Sequence, residues 1–273
     1  MKTSVWAHRG ASGYVPENTL EAFQKAVEMG ADGVELDVQL SKDGKLVVIH
    51  DETLQRGSDG FGYVKDYTLE ELKKLDVSKP ISGYRTVRIP TLEEVLELLR
   101  PTGLTINIEC KTGIFFYPGL EEKVVNLITD MHMTDRIWCS SFHHESVLKV
   151  QRLCPDIKTG FLVSDIIVDV AEYTKQYGVM ALHPAVYHTQ DINLIRNCKE
   201  NGLKVHIWTV NEPEDMKRFA AEGVDAIITN YPDRAREIME SCSSRIAKAY
   251  QILIKNHFSD SCNAHLPKCA IFT

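Results

Sequence analysis

An α/β fold, a (β/α)8 TIM barrel with a small insertion after its second strand, is what the 273-residue sequence predicts. Three observations carry this reading. Short β-like runs alternate with helical patterns almost to the end of the chain, which points to a parallel sheet covered by helices. Eight such units fit in residues 1–240, the size of a closed barrel. One connection, near residues 51–88, is far longer than the rest and reads as a cap on the barrel mouth. A doubly wound open sheet is the alternative, because strand order is not written in the sequence.

In chain order the strand-like runs are "SVWAHR", "GVELDVQL", "LTINIECK", "RIWCSSF", "IKTGFLV", "VMALHPAV", "LKVHIWTV" and "DAIITNYP". The helical patterns between them include "TLEAFQKAVEMG", "TLEEVLELLR", "GLEEKVVNLITDM", "ESVLKVQRLC" and "EPEDMKRFAAEG", and "DRAREIMES" closes the series. Asn18 or Thr19 in "NTLE" is placed to cap the first helix, with an acidic residue in its first turn. After "GVELDVQL", Asp43-Gly44 reads as the two-residue turn of a hairpin, which would set His50 opposite Asp37. Residues 241–273 have no place in the repeat and form a C-terminal extension; Ile246, Tyr250, Leu253 and His257 within it share one helical face.

Composition narrows the function. A net charge of −7 argues against a protein that coats nucleic acid or an anionic membrane. The start "MKTSVWAHRG" lacks the apolar core of a signal peptide, and no run approaches 18 apolar residues, so no membrane span is expected. The seven cysteines are scattered without a CxxC pair, and Cys110, Cys139, Cys154 and Cys198 lie in or beside regular elements. Buried thiols and a cytoplasmic location are the expectation.

Reactive groups in a barrel collect at the carboxyl ends of the strands. In "VELDV", Glu35 and Asp37 are two residues apart, so they share one strand face at roughly 7 Å spacing. Val34, Leu36 and Val38 would be covered by helices, so the carboxylates point into the barrel, where they need a cation or a proton. "NIECK" ends another strand with Glu109 and Lys111 at the same spacing, "VHIWTV" offers His206 and Trp208, and His8-Arg9 end the first strand. His206 reads as a satisfied interior group and Trp208 as a pocket wall. Both His8 and Arg9 can face the mouth only if the strand breaks there, which Gly10 makes easy. Three carboxylates without thiolates suit one divalent cation, Mg²⁺ or Ca²⁺. Arg9 and Lys111 beside it describe a phosphate site, and His8 and His50 can act as general acid and base across a phosphorus atom.

"AHRGASGYVPENTLEAFQKAVEMGADGVELDVQLSKDGKLVVIHDETLQR" resembles the opening of the glycerophosphodiester phosphodiesterase family, and "RIPTLEEVLELL", "NIECKTG", "VHIWTVNEPEDM" and "GVDAIITNYP" continue the likeness in order. The resemblance implies a barrel with an insertion and metal-dependent hydrolysis of a small-molecule glycerophosphodiester to sn-glycerol 3-phosphate and an alcohol. It implies His8 and His50 as the acid/base pair and Glu35, Asp37 and Glu109 as the metal ligands. Arg9 and Lys111 would contact phosphate, Glu17 would support Arg9, and Trp208 would wall the pocket. It also implies attack by the substrate's own 2-hydroxyl through a cyclic phosphate. Two rivals stand beside this reading. A lysophospholipase D or phosphoinositide phospholipase C-like enzyme could use the same groups, although no apolar lip is legible in the sequence. A noncatalytic phosphodiester-binding protein would have no use for the histidine pair.

Overall fold

The computed structural model describes residues 3–242 except 80 and 82. The strands are β1 (Ser4–His8), β2 (Gly33–Leu40), β3 (Leu46–Val48), β4 (Thr105–Cys110), β5 (Ile137–Ser141), β6 (Lys158–Val163), β7 (Ala181–Pro184), β8 (Lys204–Ile207) and β9 (Ala226–Thr229). The helices are α1 (Leu20–Glu28), α2 (Leu69–Leu72), α3 (Leu92–Leu99), α4 (Leu120–Asp130), α5 (His144–Leu153), α6 (Val170–Gln176), α7 (Leu194–Glu200), α8 (Pro213–Glu222) and α9 over 232–242. β1 pairs in parallel with both β2 and β9, so the sheet closes on itself. Each of the eight predicted runs is a barrel strand, and the open-sheet alternative is excluded. The extension beyond residue 242, including Ile246, Tyr250, Leu253 and His257, lies outside the described residues.

Alternation along each strand sorts the side chains into two sets. Outward residues such as Val34, Leu36, Val38, Ile106 and Ile108 are fully covered by the helices. The inward residues form layers. In the lower layer Trp6 and Trp138 sit with their rings 4.5 and 4.7 Å from the His206 ring, and His206 Nδ1 lies 2.9 Å from His183 Nε2. Burial holds His206 down to about 3 and His183 well below its usual value, so this pair is neutral packing. Burying each indole contributes on the order of 5 kcal/mol before ordering is counted. Towards the carboxyl ends the inward residues become first His8 and Glu35, which are paired in register, and then Asp37 and Glu109. The barrel is thus aromatic below and acidic above.

The end of β1 shapes the mouth. His8 is opposite Glu35, and there β1 stops. The stretch of β2 beyond it, Val38–Leu40, pairs instead with β3, which fills the edge that β1 vacates. Arg9 and Gly10 both take left-handed backbone angles, φ 55° and 80°, which breaks the strand as expected. For Arg9 this costs about 1 kcal/mol; its N–H donates to Glu35 Oε2 at 3.0 Å, which offsets it. A Cβ at Gly10 would stand 2.6 Å from the backbone carbon of Ala22 in α1. Gly10→Ala is therefore expected to destabilise the fold by about 2–4 kcal/mol, read from the denaturant midpoint. An unchanged midpoint would show that the close approach to α1 is not needed.

The hairpin differs from its expected form. The ladder pairs Val38 with Val48 and Leu40 with Leu46, so Asp37 faces Ile49 and not His50. The Gly44 N–H bonds to the Ser41 carbonyl at 2.9 Å, and Gly44 is left-handed at φ 71°. Lys42 and Asp43 are then the central turn residues and Gly44 forms the bulge, a three-residue loop that shifts the register by one. The chain leaves the ladder at His50, which is how this side chain still turns towards the site. The segment from residue 51 onwards packs Leu54, Val64, Leu72, Val77 and Val87 with Val47 and Ile49 in a small core of its own. Among the described residues no helix is long and apolar enough to cross a membrane.

Candidate active site

At the mouth a cavity of about 270 Å³ has two unlike walls. His8, Arg9, Glu35, His50 and Glu109 line one, and Phe142, Leu162, Trp208 and Ile228 line the other. Trp208 is fixed by its Nε1–H donating to the His183 carbonyl at 2.8 Å and by the Phe142 ring 5.5 Å away. Asp37 lies behind the polar wall, fully buried.

His8, Arg9, Glu17, Glu35, Asp37, His50, Glu109, Lys111 and Trp208 all stand in this region. One carboxylate oxygen from each of Glu35, Asp37 and Glu109 lies within 4.8 Å of the other two. Arg9 reaches Glu17 at 3.1 Å and Asp37 at 3.4 Å, while Lys111 reaches Glu109 at 3.0 Å and Asp37 at 3.9 Å. Lys111 Nζ also lies 3.3 Å from His50 Nε2, tying the third carboxylate to the histidine.

Four further residues complete the network, and sequence reasoning did not single them out. Asn230 Oδ1 lies 2.7 Å from His8 Nδ1 and accepts its proton, which leaves Nε2 bare and 4.0 Å from Glu35. Asp51 Oδ1 lies 2.6 Å from His50 Nδ1. Arg56 joins Asp51 to Glu17, which returns the chain of contacts to Arg9. Asn18 donates to Asp37 Oδ2 at 2.8 Å. It is free to do so because Thr19 caps α1. Behind His50, the buried Gln39 amide donates to the carbonyls of Ile49, His50 and Asp51 and so pins that turn. Asn230 had a signal available, its place at the carboxyl end of the last strand.

The chain from residue 8 to residue 234 matches the model of the glycerophosphoryl diester phosphodiesterase family. The chain belongs to that family. A glycerophosphodiester phosphodiesterase of Caldanaerobacter subterraneus subsp. tengcongensis is 47% identical over 85% of this chain and 96% of its own length. One of Bacillus altitudinis is 43% identical over 87% of this chain and 98% of its own. A phosphodiesterase of Oleispira antarctica, solved with its product sn-glycerol-3-phosphate, has a TM-score of 0.78 at 31% identity and covers 88% of this chain and 97% of its own. The family's barrel is the fold described above.

Charge in this glycerophosphodiester phosphodiesterase-family site does not balance by itself. Glu17, Asp37, Asp51 and Glu109 form ion pairs with Arg9, Arg56 and Lys111, while Glu35 meets the His8 ring at 4.0 Å and the Arg9 backbone N–H, so that five carboxylates stand beside three cations. Burial, then Asp37 and Glu109, raises the Glu35 pKa well above the usual range. Burial also raises that of Glu109, against the pull of Lys111. Burial acts the same way on Asp37, but Arg9, His50 and Lys111 outweigh it and hold its pKa low. Asp37 Oδ1 is buried and accepts no hydrogen bond. Three clustered carboxylates, the raised pKa of two of them and an orphaned oxygen fit a divalent cation. The two histidines are treated differently. Burial, then Arg9, pushes His8 down to about 4, so it is neutral at physiological pH. His50 is backed by a carboxylate that stays ionised, because His50 and Arg56 outweigh its burial.

Proposed function

We propose that this chain hydrolyses glycerophosphodiesters to sn-glycerol 3-phosphate and an alcohol, with His8 as general base and His50 as general acid. The observation that carries this reading is the set of groups meeting at one cavity: two histidines, Arg9, and three carboxylates suited to one Mg²⁺ or Ca²⁺. Glu35, Asp37 and Glu109 would hold the cation, which when bound would help to offset charge on the phosphate. Arg9 and Lys111 would bind the phosphate oxygens, with Glu17 and Asp37 orienting the guanidinium. Through its bare Nε2, His8 would take the proton of the substrate's 2-hydroxyl, whose oxygen would close on phosphorus as a ring phosphate. His50, its Nδ1–H held by Asp51, would protonate the departing alcohol from Nε2. Exchange of those roles would let water open the ring. An internal hydroxyl needs no separate positioning, a large part of the rate.

The test is product release from the purified chain. Glycerophosphocholine is expected to give sn-glycerol 3-phosphate and choline, with the rate abolished by EDTA and restored by added Mg²⁺ or Ca²⁺. Choline phosphate as product would overturn the assigned bond cleavage, and full activity in EDTA would overturn the cation site. Turnover of lysophosphatidylcholine alone would favour the acylated substrate, a reading to which the apolar wall of Phe142, Leu162, Trp208 and Ile228 lends support.

A further inference from the structure

We propose that the face of the barrel carrying the active-site mouth docks on a zwitterionic lipid surface. The six most exposed large apolar side chains among the described residues are Phe61, Ile114, Phe116, Ile166, Val168 and Ile192, each at least 69% exposed. Five stand in loops that follow the carboxyl ends of the barrel strands β4, β6 and β7, and Phe61 lies in the insertion, two residues from Tyr63, whose ring meets Phe115 of the loop after β4. At the opposite end of the barrel Leu153, Tyr177 and Met180 are exposed by only 44–45%. Single exposed apolar residues are ordinary, but a one-sided collection of this size marks an interaction surface.

The rim is also built. The Phe115 ring lies 5.4 Å from Tyr63, joining the insertion to the loop after β4. Phe116 stacks on His143 at 5.2 Å, joining that loop to the one after β5. The Tyr187 hydroxyl donates to the Ser164 carbonyl at 2.8 Å, joining the loops after β6 and β7. No apolar lip is legible in the sequence because its residues come from separate loops, brought level only when the barrel closes.

Two features select the occupant. The rim stands at the same end of the barrel as the cavity that holds His8 and His50, so a protein partner or a second copy seated across it would close the entrance. A lipid surface would instead cover the rim with molecules whose headgroups are themselves phosphodiesters. Charge then chooses the lipid. Asp165 and Asp169 bracket Ile166–Val168, Asp191 precedes Ile192, and all three carboxylates are exposed. The whole chain carries −7. Exposed carboxylates next in sequence to these aliphatic side chains suit the ammonium groups outermost on a phosphatidylcholine surface and are repelled by an anionic one.

Flotation of the full chain with vesicles tests the docking, and it is read without turnover, so its failure is separate from any failure of the catalytic reading. The protein is expected to float with pure phosphatidylcholine vesicles and less with vesicles rich in phosphatidylglycerol. Changing Ile166→Asp and Val168→Asp together is expected to lower the partition coefficient about tenfold or more. Phe61→Ser with Phe116→Ser, in other loops, is expected to act in the same direction. Neither pair should alter hydrolysis of glycerophosphocholine. No flotation, flotation unchanged in both double variants, or flotation only with phosphatidylglycerol would overturn the proposal. So would a dimer in sedimentation velocity that the same variants dissolve.

Discussion

Alanine in place of either His8 or His50 is expected to lower kcat for glycerophosphocholine by about 10³-fold, within the range of general acid–base catalysis. KM should change little, because in the proposed mechanism Arg9, Lys111 and the cation, not the histidines, bind the phosphate. The two losses have different physical origins. His8 is neutral because burial and Arg9 push its pKa to about 4, so its Nε2 lone pair is free above that pH. His50 sits between Asp51, 2.6 Å from Nδ1, and Lys111, 3.3 Å from Nε2. Asp51 holds Nδ1 and so orients the ring with Nε2 towards the site. Neither variant should unfold, since each side chain is at the mouth and the packed aromatic layer lies beneath. Full activity in either variant would contradict the mechanism.

Glu35→Gln is expected to raise the melting temperature of the metal-free protein by about 3–6 °C while removing its response to Mg²⁺ or Ca²⁺. Glu35 is buried beside Asp37 and Glu109, and those causes raise its pKa well above the ordinary value of 4.5. The metal-free fold therefore holds a proton that the unfolded chain releases above that value. Stability from this proton is complete below about 4.5 and is lost as pH rises through the raised folded pKa. A neutral amide is free of that loss and still accepts the Arg9 N–H, 3.0 Å from the present oxygen. Differential scanning fluorimetry across pH, with and without cation, reads both effects. A variant that melts lower, yet is stabilised by the cation as strongly as the parent, would contradict the ligand assignment.

Most of the barrel was legible because it rests on local periodicity. Alternation in "GVELDVQL" separates Val34, Leu36 and Val38 from Glu35 and Asp37, and the eight-fold repeat requires no knowledge of distant contacts. The site's principal groups were legible for the same reason, as each occupies a predictable place near a strand end. What escaped depends on geometry that spacing does not encode. Asp43-Gly44 resembles the centre of a two-residue turn, yet Gly44 serves as the bulge of a three-residue loop, and the register slipped by one. Asn230 meets His8 across 222 positions of sequence. Asn18 and Thr19 both qualify from sequence as the cap of α1; Thr19 fills that role, which frees Asn18 for Asp37. Arg56, five residues past Asp51, links it to Glu17 only after the insertion folds over the mouth.

A substrate whose leaving group needs no proton separates acid from base most directly. With sn-glycerol 3-phosphate esterified to p-nitrophenol, His50→Ala is expected to approach the parent's rate, because p-nitrophenolate departs unassisted. His8→Ala is expected to stay about 10³-fold slow, because the 2-hydroxyl still has to lose its proton. Rescue of His8→Ala with no rescue of His50→Ala would reverse the roles, and equal rates for both variants would contradict a division of acid and base between them.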